Sequence, residues 1–197
     1  MSLLRTFIAV DILSPIQQAI KQKTDSLRRE LGSSLIRWVS MENIHLTLKF
    51  LGDVSPTGAD RLTHSLCTEA DLIPAFAMQI GGFGSFPSLR RARVLFIGIQ
   101  APAELEALNR GIESACVRLG YKAESKDFNP HLTIGRVKQE ISASDRQKIS
   151  RVLEGFTIDS LGTARVDLVH LYKSDLKPSG AVYTKLFSAP LKPRGEN

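Results

Sequence analysis

Apolar and polar positions follow one another along the chain with two periods, one typical of β-strands and one typical of α-helices. Residues 5–12 form an apolar run suited to a central strand. Apolar residues at helical spacing follow, and this helix is predicted to begin at Ser14-Pro15, with Ser14 as its N-cap, and to end at Gly32. Further helices are predicted over 56–72 and 103–119, and from Ser142 or Ser144 to 153. Further strands are predicted over 36–39, 43–51, 75–80, 93–99, 129–136, 156–158, 165–172 and 181–188, with a glycine-rich loop over 81–87.

The order of these elements is repeated along the chain. Strand, helix, strand, helix and strand follow one another in each half. We therefore predict an α+β fold of two pseudo-symmetric lobes, each an antiparallel sheet with outer helices, and an active-site cleft between the lobes. No Pro- or Ser-rich linker separates the halves, so residues 1–197 are predicted to form a single bilobal domain.

Composition narrows the class of protein. Hydrophobic residues make up 43% and charged residues 23% of the chain, as in ordinary globular proteins. The formal net charge of +6 favours a polyanionic partner. No apolar run approaches the roughly 18 residues of a membrane span, and no leader-like segment opens the sequence, so we expect no membrane partner. Cys67 and Cys116 lie in predicted helices and are expected to be buried and unpaired, which suits the cytoplasm. The chain is expected to act as a monomer.

A short apolar run with the pattern His-x-Thr occurs twice in the sequence. Because side chains in a strand alternate between two faces, His45 and Thr47 point to the same face of their strand. His131 and Thr133 do so in the second copy. A single copy is more often a core strand with one tolerated histidine. Thr occupies 10 of the 197 positions, so two such pairs among four histidines would be a rare coincidence. The repeat therefore indicates one shared site.

The segments around both motifs and near both ends of the chain carry a family resemblance. They are residues 5–10, 43–52, 128–136, 171–174 and 180–183. In these segments the sequence resembles the two-histidine (2H) phosphoesterase superfamily, in the branch of 2′-5′ RNA ligases and RNA 2′,3′-cyclic phosphodiesterases. The resemblance implies an enzyme that hydrolyses RNA 2′,3′-cyclic phosphodiester ends to 2′-phosphomonoesters without a metal or other cofactor. RNA with such ends, or small cyclic nucleotides, would be its partners.

Histidine suits this chemistry because its ordinary pKa of about 6.5 lets it lend or take a proton at neutral pH. Opening a cyclic phosphodiester needs one group to deprotonate water and another to protonate the departing ribose oxygen. The resemblance implies that His45 is the proton donor to the leaving 3′ oxygen and that His131 is the proton acceptor. The hydroxyls of Thr47 and Thr133 can donate hydrogen bonds to the non-bridging phosphate oxygens.

Three residues outside the motif positions are candidates for contact with the substrate. Lys49 shares the face of the first motif if its strand is regular, and it can then help to hold phosphate; a solvated lysine at a strand end is the alternative. Tyr183 and Phe7 can stack on a base, with packing in the core or at the rim as the alternative.

Basic residues supply further candidates. Arg136 follows the second motif, and the resemblance suggests a substrate-side basic residue there. Strict alternation puts Arg136 on the opposite face from the second motif unless Gly135 bends the strand. Arg90, Arg91 and Arg93 form a basic cluster suited to RNA phosphates, with a solvated surface as the alternative.

Several other readings remain open at the level of the sequence. His64 and His170 lack a Thr two residues on and are expected to be structural. The chain has no His-Glu-x-x-His and no Cys-x-x-Cys pattern, which weakens the alternative of a metallohydrolase. 2′-5′ RNA ligation is the reverse reaction and needs the same acid and base. A non-catalytic RNA- or nucleotide-binding module is the last alternative, although binding alone needs no pair of histidines.

Overall fold

Antiparallel strands and the helices outside them make up the structure. The computed structural model describes residues 3–177 and 180–193. Within these residues nine strands and four helices follow one another: β1 (Leu4–Asp11), α1 (Ser14–Leu35), β2 (Ile36–Trp38), β3 (His45–Val54), α2 (Pro56–Asp71), β4 (Phe76–Phe86), β5 (Val94–Gln100), α3 (Ala103–Arg118), β6 (His131–Val137), α4 (Ala143–Glu154), β7 (Ser160–Val166), β8 (Leu168–Lys177) and β9 (Gly180–Pro190). Short 3-10 turns lie at Met41–Asn43 and Leu89–Arg91.

The strands form one continuous antiparallel sheet with two halves. Strands β3, β1, β8 and β9 lie in that order in the first lobe, and strands β6, β5, β4 and β7 lie in that order in the second. The lobes meet where Leu46 of β3 pairs with Leu132 of β6. The short strand β2 pairs with the far end of β6. The predicted α+β fold with two pseudo-symmetric lobes is confirmed.

Helices cross from one lobe to the other. Helix α1 follows β1 of the first lobe but packs on β2 and β7, next to the second lobe. Helix α3 follows β5 of the second lobe but packs on β3 and on α2, and α2 in turn contacts β8 and β9. Each lobe is therefore built from both halves of the sequence, and the apolar faces of the helices cover the sheet from outside.

The first helix shows where sequence patterns succeed and fail. Its apolar stripe is buried as predicted, at Ile16, Ile20, Leu27 and Leu31. The predicted N-cap is wrong: Leu13 holds that position without a side-chain hydrogen bond, and Ser14 is the first helical residue. Gly32 interrupts the helix with a φ of 62°, a conformation that favours glycine, but a last turn continues to Leu35. By contrast, Ser142 caps α4 as predicted and forms a capping box with Asp145.

The glycine-rich loop predicted over 81–87 is wrong, because β4 continues to Phe86. The glycines there allow neighbouring groups to approach closely. A Cβ on Gly81 would lie 2.6 Å from the backbone oxygen of Asp159, and one on Gly84 would lie 2.5 Å from the ring of Phe96. Glycine thus extends this strand instead of ending it.

Three other predicted strands differ from the observed ones. The strand predicted over 156–158 is absent from the described residues, and β7 begins later, at Ser160. The strand predicted over 165–172 is divided at Asp167, where β7 ends and β8 begins. The strand predicted over 43–51 is observed as β3, which continues to Val54.

The two cysteines occupy different surroundings. Cys116 on α3 is buried as predicted, and burial raises the pKa of its thiol to about 11. Cys67 on α2 is exposed, so its predicted burial is wrong, because it lies off the apolar stripe of its helix. Both are free thiols. Among the described residues no helix is long and apolar enough to span a membrane.

We expect Gly81→Ala to lower the free energy of unfolding by about 1–3 kcal/mol, because the new methyl group collides with backbone atoms that cannot rotate away. Gly155→Ala is the matched control, since its nearest neighbours lie 3.8 Å away. It should change the stability by no more than about 1 kcal/mol. Urea unfolding of both variants measures the difference, and equal midpoints would contradict the packing argument.

Candidate active site

The two His-x-Thr motifs lie on one face of the sheet, which we call the cleft face. Leu46 and Leu132 join the motif strands and are buried on the opposite face, at 1% and 0% exposure. Because side chains alternate along a strand, the histidine and threonine on either side of each leucine turn to the cleft face. The single pairing therefore gathers four polar side chains around one point: His45, Thr47, His131 and Thr133.

Each motif strand contains a β-bulge just after its threonine. In β3, Lys49 pairs with Ile8 while Thr47 pairs with Ala9, so Leu48 has no partner in β1. In β6, Thr133 pairs with Phe96 and Gly135 pairs with Leu95, so Ile134 has no partner in β5. A bulge inserts one extra residue and reverses the alternation of side chains beyond it. The residue five positions after each motif histidine is therefore turned to the cleft face.

The bulge removes Lys49 from the cleft. The regular strand on which its phosphate-binding role depended is not observed. Lys49 is only 4% exposed, and its ammonium contacts a carboxylate oxygen of Glu113 on α3 at 2.8 Å and the carbonyl oxygen of Lys122 at 2.7 Å. The structure places this side chain between sheet and helix.

The corresponding bulge brings Arg136 to the cleft face, where its side chain is exposed. This is the outcome predicted if the strand bends at Gly135. A Cβ on Gly135 would lie 2.8 Å from Ile36 and 3.0 Å from Trp38, so glycine is needed where β2 crosses behind the bulge. The equivalent of Arg136 in the first lobe is Phe50, which is 67% exposed.

Both motif imidazoles are held in the same way. Nδ1 of His45 lies 2.8 Å from the carbonyl oxygen of Asn43, and Nδ1 of His131 lies 2.7 Å from that of Asn129. A carbonyl oxygen only accepts, so in each ring Nδ1 carries the proton and donates it. Nε2 is then the nitrogen that remains available to exchange a proton with a bound molecule.

Aromatic rings fix the position of each imidazole. Phe7 stacks on His45 with centroids 4.8 Å apart, and the edge of Tyr183 contacts the same imidazole at 5.2 Å. His131 is flanked by Phe86 at 5.0 Å and Phe96 at 5.3 Å. Phe7 is only 3% exposed, so the structure places it as a support behind the imidazole.

Tyr183 lies at the rim of the cleft. Its ring also contacts Phe7 edge-on, with centroids 5.0 Å apart. Burial raises the pKa of its phenol, and the positive charges of Arg136 and Arg5 act against this rise. Both arginines therefore approach the tyrosine, which gathers an aromatic ring and two cations at one side of the motif histidines.

The two motif histidines have different ladder partners. Asp11 is the partner of His45 in the β1–β3 ladder, whereas Gly98 is the partner of His131. The Asp11 carboxylate accepts hydrogen bonds from the Tyr172 hydroxyl and from the Lys185 ammonium. A held carboxylate therefore stands opposite His45, where the second motif has a glycine.

Burial and the nearby Asp11 carboxylate act in opposite directions on the pKa of His45. Burial lowers the pKa of His45, and the hydrogen bond to Asn43 and the negative charge of Asp11 oppose that lowering. Burial raises the pKa of Asp11, but hydrogen bonds from Lys185 and Tyr172 bring it below its usual value. The carboxylate is thus ionised at neutral pH and favours the imidazolium form of its neighbour.

The remaining candidates have exposed side chains. Arg90 pairs with Glu154 of α4 at the surface, with Nε and carboxylate oxygen 2.9 Å apart. Arg91 and Arg93 are exposed. His64 lies on α2 as predicted, exposed to solvent. In residues 3–177 and 180–193, no group of three or more His, Cys, Asp or Glu side chains is arranged to hold a metal ion.

His170 is buried, as expected of a structural residue. Its Nδ1 lies 2.8 Å from the Ser188 hydroxyl, and its Nε2 lies 3.4 Å from the Asp11 carboxylate. Burial lowers the pKa of its imidazole, against the effect of that carboxylate. The residue therefore supports Asp11 from behind.

Sequence reasoning missed two residues of the cleft. Asp11 stands at the end of an apolar strand, and no motif singles it out. Phe50 resembles the other apolar residues of its strand, although its position five residues after His45 matches that of Arg136 after His131. An alignment of the two halves on their histidines would have identified this equivalence.

Two anchored imidazoles and two hydroxyls around one point can together donate and accept protons while binding anionic oxygens. These are the groups that a phosphoesterase using acid–base catalysis needs. The sequence matches the family described as LigT like Phosphoesterase twice, over residues 10–96 and over residues 97–183. The two matches correspond to the two pseudo-symmetric halves of the chain.

Similar proteins cover nearly the whole chain. An RNA 2′,3′-cyclic phosphodiesterase of Methanothermobacter thermautotrophicus is 31% identical over 182 residues, which is 92% of this chain and 96% of that protein. One of Thermotoga maritima is 32% identical over 185 residues, 93% of this chain and 94% of that protein.

Solved structures agree with these relatives. The crystal structure of TT0787 of Thermus thermophilus has a TM-score of 0.80 at 25% identity and covers 97% of this chain and 100% of that chain. That of E. coli LigT complexed with NADP+ has a TM-score of 0.75 at 26% identity, with 98% and 99% covered. The chain therefore belongs to the LigT-like family of 2H phosphoesterases, as its motifs predicted.

We expect Asp11→Asn to lower the pKa of His45 further, because the variant removes the anion that favours the imidazolium and leaves the Lys185 cation nearby. The protonated fraction of this imidazole at neutral pH should then fall. NMR titration of the imidazole C–H resonances measures the shift. Asp53→Asn, an exposed change on β3, is the control and should leave the titration unchanged. A rise after Asp11→Asn would refute the assignment.

Proposed function

We propose that the protein hydrolyses RNA 2′,3′-cyclic phosphodiester ends to 2′-phosphomonoesters without a metal. The observation that carries the proposal is the pair of imidazoles anchored through Nδ1, which leaves Nε2 of each ring to exchange a proton, around the point where the motif strands meet. Relatives about 30% identical over most of their length are named RNA 2′,3′-cyclic phosphodiesterases, which supports the same substrate class.

In the proposed reaction the two histidines work on opposite sides of phosphorus. Nε2 of His131 takes a proton from water, and the water oxygen forms a new bond to phosphorus. The bond from phosphorus to the 3′ oxygen breaks, and the His45 imidazolium protonates that leaving oxygen. The 2′ ester bond stays intact, so the product is a 2′-phosphate. Exchange of one proton with solvent at each ring restores the starting state.

The threonines stabilise the charge that develops during this transfer. Hydroxyls of Thr47 and Thr133 donate hydrogen bonds to the two non-bridging oxygens, where negative charge accumulates in the transition state. The unequal surroundings of the histidines support their assignment to different roles. Burial lowers the pKa of His45, and Asp11 opposes this lowering, so it favours the charged form that the donor must have before the reaction. Gly98, the ladder partner of His131, brings no such charge.

The rim of the cleft offers groups for the rest of the nucleotide. We assign Arg136 to substrate phosphate and the exposed ring of Phe50, with the edge of Tyr183, to the base or ribose. Phe7 supports His45 from behind, and Lys49 is assigned a structural role because Glu113 already neutralises it. Small cyclic nucleotides as substrates, the monomeric state and a cytoplasmic location stay predictions.

The test uses a short RNA ending in a 2′,3′-cyclic phosphate, with excess chelator. Wild type should convert this end to a 2′-phosphate, and His45→Ala or His131→Ala should each lower the rate by about 10²–10⁴ because one proton transfer is lost. His64→Ala is the matched control, since this histidine is exposed on α2. Chromatography of the products measures the conversion.

Each contrary outcome has its own meaning. Binding of the RNA without turnover by wild type would support a non-catalytic module instead. Turnover abolished by chelator would support a metallohydrolase. Turnover that survives both motif substitutions would place the chemistry at other residues.

Lys49→Met should separate structure from catalysis. The variant leaves Glu113, which is 26% exposed, without its cation, and we expect a loss of stability of up to about 3 kcal/mol. The rate of hydrolysis below the melting temperature should stay within about twofold of wild type, since the side chain does not reach the cleft. Thermal melts and initial rates test both points, with Lys21→Met on the exposed side of α1 as the control. A selective loss of rate would restore Lys49 as a phosphate ligand.

A further inference from the structure

Two arginines stand directly opposite each other where β2 meets β6. Arg37 is the ladder partner of Arg136 in this antiparallel pair, and both side chains are exposed. Directly opposed residues project from the same face of a sheet. Since the bulge turns Arg136 to the cleft face, Arg37 lies on that face too.

Within the described part of the chain, no acidic side chain neutralises this pair. Opposed like charges destabilise a strand pair. Some surface arginines of this chain pair with a carboxylate, as Arg118 does with Glu69 and Arg165 with Asp167. Among the described residues, neither Arg37 nor Arg136 has an ion-pair partner. The pair is therefore an unneutralised concentration of positive charge beside the cleft.

The backbone that carries the pair is firmly held. Next to Arg37, Trp38 packs behind Gly135 and donates its indole N–H to the carbonyl oxygen of Gly32 at 3.1 Å. The guanidinium of Arg28 lies over the same indole, 4.8 Å from the ring centroid. Strand β2 is short but anchored, so its exposed arginine is presented from a fixed position.

The pair lies farther along β6 than the motif, although the Arg136 side chain is long enough to approach Tyr183 beside the motif histidines. Arg136 lies three positions after Thr133, which is about 10 Å along the strand at about 3.3 Å per residue before the bulge shortens it. Arg37 lies opposite Arg136, away from the point where the motifs meet. A phosphate held between Arg37 and Arg136 would therefore be a second anionic group, in addition to the one between the histidines.

We propose that Arg37, together with Arg136, forms a subsite for a backbone phosphate of an oligoribonucleotide whose cyclic end lies between the two histidines. The inference rests on the proposed function and names the substrate class: RNA ends are preferred to single cyclic nucleotides, which have no second phosphate. Guanidinium groups suit this task because they bind phosphate oxygens through two parallel hydrogen bonds. The net charge of +6 favours the same polyanion.

The first experiment compares two substrates in Arg37→Gln. For a pentaribonucleotide ending in a 2′,3′-cyclic phosphate, kcat/KM should fall about tenfold, the effect of one charge-assisted contact. For 2′,3′-cyclic AMP it should stay within twofold of wild type. Arg110→Gln is the matched control, since Arg110 is exposed on α3 and faces Glu106. Equal losses for both substrates, or no loss for either, would overturn the subsite.

The second experiment does not depend on hydrolysis. Fluorescence anisotropy measures binding of a 5′-labelled pentaribonucleotide ending in a 2′-phosphate at several salt concentrations. In Arg37→Gln the slope of log K against log salt should become shallower by about 0.7, the value for one lost phosphate contact to a single strand. An unchanged slope would refute the subsite. A changed slope in a protein that hydrolyses neither substrate would keep the subsite and reject the proposed function.

Discussion

The cleft depends on one contact, the pairing of Leu46 with Leu132. These two buried side chains hold the motif strands together on the helix side and thereby fix the histidines and threonines on the other side. A slip of one residue in either strand would turn its polar pair into the core and its aliphatic residues into the cleft. The burial of two leucines therefore fixes the geometry of a site that they never touch.

The β-bulges give the two pseudo-symmetric lobes different side chains on the cleft face. Each motif strand reverses its alternation after the threonine, so one additional residue reaches the cleft face from each lobe. In one lobe this residue is the aromatic Phe50, and in the other it is the cationic Arg136. The ladder partners of the two histidines differ as well, since one is Asp11 and the other is Gly98. The two lobes therefore share the same backbone geometry around the cleft, but the side chains at equivalent positions differ.

Patterns repeated along the chain could be predicted, and features set by distant neighbours could not. The helical stripe of α1 and the two His-x-Thr pairs have local periods, and the structure contains them. The extended glycines of β4 depend on the close approach of Asp159 and Phe96, which no local pattern reveals. The burial of Lys49 follows from a bulge in the ladder with β1, and the importance of Asp11 follows from its partners on β8 and β9.

The position of β1 between β3 and β8 has a consequence for folding during synthesis on the ribosome. Phe7 pairs with Tyr172 and Asp11 binds Tyr172 and Lys185, so one edge of β1 stays open until the last strands have been synthesised. Contacts between such distant parts of a chain form late. During most of its synthesis the chain already contains His45 and Thr47. The tyrosines of β8 and β9 near His45, and the groups that hold the Asp11 carboxylate, are not yet present. The surroundings of His45 are therefore complete only when β8 and β9 have joined the sheet.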